Sequence, residues 1–269
     1  MRSRLPFVAF ALLCASIAPA AALDCAAPAI ADRIAAIPAR GELLLESGVL
    51  ARLAGVRLAD AGAVGAAARA EMDGLVGTEV AVALLEADAD RWGRRAAAIA
   101  FPAAEGAPPM RDLAAGLVER GLALVDAGPA DRLCRPGLLE LEEEARRGRR
   151  GIWADAGERP LPAGAGEALA ARVGRFTLVE GVVVRVGVRG DRTYLDFSRS
   201  WTSGFTAVVP APVWARLEAS GLGAGALEGR RMRVRGIIEM WRGPALTITA
   251  VEMIEILSSN SAEPRRFLP

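Results

Sequence analysis

The chain has 269 residues, about half of them hydrophobic, with 33 basic and 32 acidic side chains and no histidine. Every basic residue is arginine, so any metal site or general base must come from carboxylates, cysteine, tyrosine or backbone; histidine triads and histidine-ligated zinc sites are excluded. The near-balance of charge leaves no bulk basic footprint of the kind that drives non-specific nucleic-acid binding, and the wealth of Arg, Ala and Gly has a plain alternative origin in genomic base composition.

Arg2 and Arg4 precede an apolar run from Leu5 to Ala18 and the small residues ending at Ala22, the layout of a secretory signal over residues 1–22. Cleavage after Ala22 and a periplasmic or secreted location are expected. The alternative is an uncleaved anchor, against which Pro6, Pro19 and the small-residue end argue. Cys14 follows the bulky Leu13, a poor context for lipidation. No other segment is apolar for long enough to cross a bilayer, so no transmembrane span is expected once the signal is removed. Cys25 and Cys134 then remain, an even pair for an oxidising compartment, and a Cys25–Cys134 disulfide is expected. Closing so long a loop restricts the unfolded chain and stabilises by roughly 2 to 5 kcal/mol. The alternative is two unpaired buried thiols.

Local charge divides the remainder. Residues 23–155 hold 16 Arg against 21 acids, residues 169–258 hold 12 Arg against 8 acids, and between them GERPLPAGAGEALA is rich in Pro, Gly and Ala. Two domains, 23–155 and 169–258, are expected, with a linker at 156–168, a boundary near Asp155 and a tail at 259–269.

In chain order, ELLLESG and VLARLAGV form a hairpin turning at Ser47 and Gly48. A helix follows over Ala63 to Leu75, then strands EVAVALLEAD and RRAAAIAF meeting near Trp92 and Gly93. Two amphipathic helices close the domain. One runs from Arg111 to Arg120, stopped by Gly121; the other runs from Gly137 to Arg147, acidic first and basic last as the helix dipole favours. The second domain reads as strands FTLVEGVVVRVGV, RTYLDFS and FTAVVPA, a helix in PVWARLEAS, then strands RRMRVRGIIEM and ALTITAVEMIEI. Three strands, a helix and two strands is the order of a small five-stranded OB barrel.

RLAGVRLAD at Arg52 to Asp60, DRWGRR at Asp90 to Arg95, GLVERGLALV at Gly116 to Val125 and LLELEEEARRGRRGIW at Leu138 to Trp153 occur in one order across residues 38–155. This set resembles the staphylococcal-nuclease (thermonuclease) family. The resemblance implies a mainly β fold with helices (α+β): an OB barrel with three helices, followed here by the second, C-terminal five-stranded OB-like barrel. The second part also resembles a module found after nuclease-like domains in bacterial exported proteins.

Nucleases of that family use a calcium ion, a water-activating carboxylate and two arginines that grip the phosphate. By the resemblance, the two arginines match Arg52 and Arg94, and the carboxylate, a Glu in the family, falls on Asp60. The two calcium-binding Asp positions fall on Gly41 and Arg57. Three carboxylates thus become Gly, Arg and Asp, which sum to zero charge, so calcium affinity is expected to collapse and no metal ligand is assigned; calcium would be the cofactor only if the family site worked. Glu42 is expected to face away from the site, because adjacent strand residues point to opposite faces, unless a bulge realigns it. An Arg57–Asp60 ion pair is expected to occupy the remaining carboxylate. Arg52, Arg57 and Arg94 together could hold a phosphate through bidentate contacts, or simply neutralise acidic neighbours such as Glu86, Asp88 and Asp90.

In the second domain Arg199, Trp201, Phe205, Trp241 and Arg242 mix aromatic and cationic groups near strand ends, a pattern suited to stacking single-stranded nucleic acid; core packing is the alternative. Trp153 and Trp214 read as packing residues. Three functions fit the sequence: an exported nuclease homologue that has lost calcium catalysis and works as a binding or scaffold module, with single-stranded nucleic acid or nucleotide as its possible ligand; an active periplasmic nuclease with an altered metal site; and an interaction module for an envelope protein. The first is preferred.

Overall fold

The computed structural model describes residues 27–86, 88–102, 110–128, 133–154, 159–199 and 204–257, and the backbone of 264–265. The expected signal at 1–22, Cys25, the boundary near Asp155 and Trp201 lie outside the described residues.

The first part runs β1 (Ile30–Ala36), β2 (Leu43–Leu45), β3 (Leu50–Leu53), β4 (Val56–Leu58), α1 (Gly62–Asp73), β5 (Glu79–Leu84), β6 (Arg94–Pro102), β7 (Met110–Asp112), α2 (Leu113–Glu119), β8 (Ala123–Val125) and α3 (Leu138–Arg147). Strands β3, β2, β1, β5 and β6 pair in that order, and a parallel ladder from β3 to β6 closes the ring. The closure lets alternate residues such as Leu43, Leu45, Val80 and Val82 point into one barrel core. The expected hairpin is β2–β3, pairing Leu43 with Ala51 and Leu44 with Leu50, with Gly48 at φ +84° in its turn. VLARLAGV does not run on as one strand, because Gly55 at φ +78° breaks it and β4 leaves the barrel to pair with β8. Helix α2 starts two residues later than expected. The Asp112 carboxylate accepts the Ala115 N–H and caps it, which leaves Arg111 in β7.

The second part runs β9 (Leu161–Pro162), α4 (Gly166–Ala170), β10 (Phe176–Val182), β11 (Arg185–Arg189), β12 (Arg192–Asp196), β13 (Thr206–Pro210), α5 (Ala211–Ala219), α6 (Ala224–Leu227), β14 (Arg231–Met240), β15 (Pro244–Thr247), β16 (Ile254–Leu257) and β17 (Pro264–Arg265). Its strands pair in the order β11, β12, β13, β15, β14, β10, with β13 parallel to β15. Both parts therefore contain a parallel contact between strands, β3 with β6 and β13 with β15, and a helix between the two partners in sequence, α1 and α5.

Three segments depart from the sequence reading. FTLVEGVVVRVGV divides at Val183, which is buried, so that β10 pairs with β14 while β11 turns away onto β12. ALTITAVEMIEI divides at a 3₁₀ turn over Val251–Met253, and both halves pair with β14. The segment read as a linker is partly folded: Leu161 and Pro162 add a parallel strand to β10, Ala163 is buried, and the following Leu169 is fully buried in the second core. Its Pro and Gly content marked turns, while its few apolar residues decided where it docked.

Helix α3 packs against the second sheet. Ala145, Ile152 and Trp153 bury with Leu178 of β10, and Glu142 and Glu143 face Arg233 and Arg235 of β14. No helix among the described residues is long and apolar enough to cross a membrane.

Candidate functional site

A cleft of about 1450 Å³ lies where the first barrel meets the second sheet. Arg52 enters it from β3, Arg57 from β4, Arg94 from the start of β6, and Asp60 from the loop before α1, while Phe176, Ile237 and Glu239 line it from the second part. The short spacing from Arg52 to Asp60 works because β3 and β4 are separated by the Gly55 turn alone, so one stretch of chain serves two strands of the site.

Arg94 is the most constrained of these side chains. Its Nε donates to Asp90 Oδ2 at 2.9 Å, its Nη2 lies 2.8 Å from the same oxygen, and its Nη1 reaches Glu42 Oε1 at 3.4 Å. The guanidinium also sits 4.8 Å from the ring centroid of Trp92, whose other cationic neighbour, Arg91, is at 4.3 Å. Asp90 organises this turn: its Oδ1 accepts the backbone N–H groups of Trp92 and Arg94. Desolvation pushes the Asp90 carboxyl up, but the backbone N–H of Arg94, its guanidinium and the N–H of Trp92 outweigh it and hold the group at about 2. For Arg94, desolvation favours loss of the proton, while Asp90 and then Glu42 bind the charged form and raise its pKa. Because the folded pKa of Asp90 lies below its ordinary 3.8, its contribution is present above pH 3.8 and is lost as pH falls toward 2. The Trp92 turn is thus expected to loosen between about pH 4 and pH 2; unchanged Trp92 fluorescence across that window, measured against an Asp90→Asn variant, would contradict it.

Two expectations fail here. Glu42 does not face away: it is only 7% exposed and turns into the cleft onto Arg94. It precedes β2 rather than lying within it, Gly41 is at φ +79°, and the β1–β2 register shifts between Ile34 and Ala36, so strand alternation does not govern its direction. Nor does Arg57 pair with Asp60. Its Nε and Nη2 meet Asp126 Oδ2 at 3.1 and 2.9 Å, because β4 pairs with β8 and Asp126 immediately follows β8. The guanidinium is also covered by the Phe176 ring at 5.2 Å. No local pattern links residues 57, 126 and 176, so Asp126 and Phe176 were missed as site residues.

Among the described residues Arg52 has no ion-pair partner, and its guanidinium lies close to Gly128, where a Cβ would sit 3.4 Å from Nη1. Asp60 is exposed and has no ion-pair partner among the described residues. No group of three His, Cys, Asp or Glu side chains able to hold a metal ion occurs among the described residues. Cys134 is disulfide-bonded, and the expected pairing with Cys25 lies outside the described residues.

The second-domain candidates are dispersed. Phe205 is core, packed on Phe197 at 5.2 Å; Arg199 is exposed; Trp153 and Trp214 are buried. Trp241 is 59% exposed and stacks on Tyr194, with Arg242 at 6.0 Å from its ring.

Residues 57–155 match the family model described as staphylococcal nuclease homologue, so this part of the chain is a staphylococcal-nuclease-type domain. Gly41, Glu42 and Arg52 lie before the matched segment. No curated protein matches the chain. Among solved structures, asparaginyl-tRNA synthetase from Pyrococcus horikoshii aligns at 20% identity with a TM-score of 0.27, over 39% of this chain and 24% of that one. The chain spans about a quarter of that protein's length.

Proposed function

Starting from a staphylococcal-nuclease-type domain at residues 57–155, we infer that this is an exported protein that binds a phosphate-bearing ligand, single-stranded nucleic acid or nucleotide, without calcium-dependent hydrolysis. The observation that carries this reading is the pairing of the cleft carboxylates: Glu42 and Asp90 are held by Arg94 and Asp126 by Arg57, while Arg52 has no ion-pair partner among the described residues. A calcium ion needs six to eight oxygen ligands, of which carboxylates are the strong ones. Here Glu42, Asp90 and Asp126 already face guanidinium groups, and Arg57 places a cation where the family resemblance implies an anionic ligand. This donor set does not fit calcium.

An anion fits it better. Arg52 offers a planar fork of N–H donors with no ion-pair partner among the described residues, and Arg94 has Nη donors oriented by Asp90 and Glu42, an arrangement suited to phosphate oxygens. The disulfide at Cys134 supports an oxidising compartment, and the strand path β11-β12-β13-β15-β14-β10 in the second part supports a second OB-like module on residues 169–258. One observation favours active hydrolysis with an altered metal site: Asp60 is an exposed carboxylate beside the same arginines.

Thermal unfolding separates these readings, since a ligand that binds only the folded state must stabilise it, by about 2.7 kcal/mol at a hundred times its Kd. A nucleoside 3′,5′-bisphosphate is expected to raise the Tm while calcium does not. Hydrolysis of single-stranded DNA or RNA with calcium, magnesium or manganese that disappears in Arg94→Ala would overturn the binding reading.

A further inference from the structure

The second part carries an aromatic surface unrelated to the cleft. Trp241 follows β14 in a tight turn, its N–H donating to the Gly243 carbonyl at 3.1 Å, and its ring stacks on Tyr194 of β12 with centroids 5.5 Å apart and planes 17° apart. One face of the indole is thus fixed by another ring, yet the residue stays 59% exposed, and Val188 and Met240 are exposed as well. A tryptophan serving only to fill a core would be buried, and clustered exposed apolar groups mark an interaction surface.

Charge narrows the occupant. Tyr194 and Trp241 line a hollow of about 390 Å³ together with Arg185, Arg189, Arg242 and Asp196. The Asp196 carboxylate is already engaged, one oxygen by Arg185 Nε and Nη2 at 3.0 and 2.6 Å and the other by the Thr206 hydroxyl at 2.9 Å. Its single negative charge is offset by Arg185, and among the described lining residues Arg189 leaves the hollow cationic. A flat, preformed aromatic face beside surplus positive charge matches a planar ring attached to an anion.

We propose that the Tyr194–Trp241 stack is a platform for a base of single-stranded nucleic acid, with Arg189 meeting an adjoining phosphate. The platform shares no lining residue with the cleft, so it does not rest on the anion-binding role of Arg52 and Arg94.

The test is fluorescence anisotropy of a labelled oligo-dT of about 12 nucleotides, within the usual range of such sites, titrated with the full chain at low salt. Trp241→Ala is expected to weaken binding about 10-fold, the effect of losing one stacked base, while Trp241→Phe retains most of it. Arg189→Glu is expected to weaken binding and flatten its salt dependence. Because Trp241 and Arg189 are exposed, both variants should keep the wild-type Tm, which excludes misfolding. Equal affinity of wild type and Trp241→Ala, or no binding by the wild type, overturns the proposal. Loss of binding in Arg52→Ala alone, with Trp241→Ala unchanged, would assign the strand to the cleft and also overturns it. If Trp241→Ala weakens binding while Arg52→Ala and Arg94→Ala do not, the platform stands even where the cleft reading fails.

Discussion

Replacing Arg235 with alanine is expected to lower the free energy of unfolding by about 3 to 5 kcal/mol, the cost of breaking a buried ion pair by removing one partner. Arg235 lies on β14, is 1% exposed, and donates from Nη1 to Glu142 Oε2 at 2.6 Å and from Nη2 to Glu255. Glu142 in turn accepts the backbone N–H of Val125 at 2.7 Å, so the pair also ties down the strand that carries Asp126 to the cleft. Arg233 extends the network, reaching Glu255 Oε2 at 2.9 Å and Glu180 Oε1 at 2.6 Å. Burial alone would lower the Arg235 pKa, but Glu142 and Glu255 bind the charged form and raise it. The Glu255 carboxyl is pushed up by burial and pulled further down by Arg235, Arg233 and Arg146, ending below its ordinary 4.5.

Removing the guanidinium therefore takes the ion-pair partner from the buried Glu142 and leaves Glu255 to Arg233 alone, at the contact between α3 and the second sheet. A folded-state carboxyl pKa below the unfolded one stabilises above pH 4.5 and loses that contribution on acidification below it, so the wild type should become less stable there, and Arg235→Ala less steeply so. Urea unfolding at pH 7 and at pH 4 measures both effects. A loss under 1 kcal/mol at pH 7 would mean that water reaches the network. Joint replacement of Arg235, Glu142 and Glu255 by apolar residues of similar volume should cost far less than Arg235→Ala, because no uncompensated charge remains.

Arg94→Ala is expected to weaken binding of a nucleoside bisphosphate by about 10- to 100-fold, since a hydrogen bond to a charged group is worth roughly 1.5 to 3 kcal/mol. The same change leaves Glu42 buried without its guanidinium partner, with a cost in stability of about 1 to 3 kcal/mol. The two effects separate in the double variant: Glu42→Gln in the Arg94→Ala background is expected to recover stability, because a neutral amide is cheaper to bury, while binding stays weak. Recovery of binding as well would show that Arg94 acts only by neutralising Glu42. Calorimetric titration together with thermal unfolding of the single and double variants decides between these outcomes.

The features legible in the chain were local ones. The β-branched Val80 and Val82 alternating with the small Ala81 and Ala83 announce a strand; Gly48 announces the hairpin turn; and the Ala-rich run after Asp60 announces α1. The ordered segments at Arg52–Asp60, Asp90–Arg95, Gly116–Val125 and Leu138–Trp153 placed a nuclease-type domain by their resemblance to the staphylococcal-nuclease family, and residues 57–155 match that family's model. Arg94 with Asp90 was readable for the same reason, being four residues apart across the turn at Gly93, which has φ +77°.

What tertiary structure alone decided is the partner of each charge that pairs across a long stretch of sequence. Alternation in RRMRVRG puts Arg233 and Arg235 on the face opposite Met232 and Val234, which from sequence reads as solvent; α3 covers that face and turns the arginines into buried counter-ions of Glu142 and Glu143. Arg57 lay nearest Asp60 in sequence but meets Asp126, since antiparallel pairing of β4 with β8 joins residues 69 positions apart. Glu42 turned inward because a glycine at positive φ and a register shift displaced it from strand alternation. Hydrophobic periodicity and turn propensity act over a few residues and are written in the chain, whereas an ion pair requires two side chains within about 4 Å, a distance set by how sheets close and helices dock.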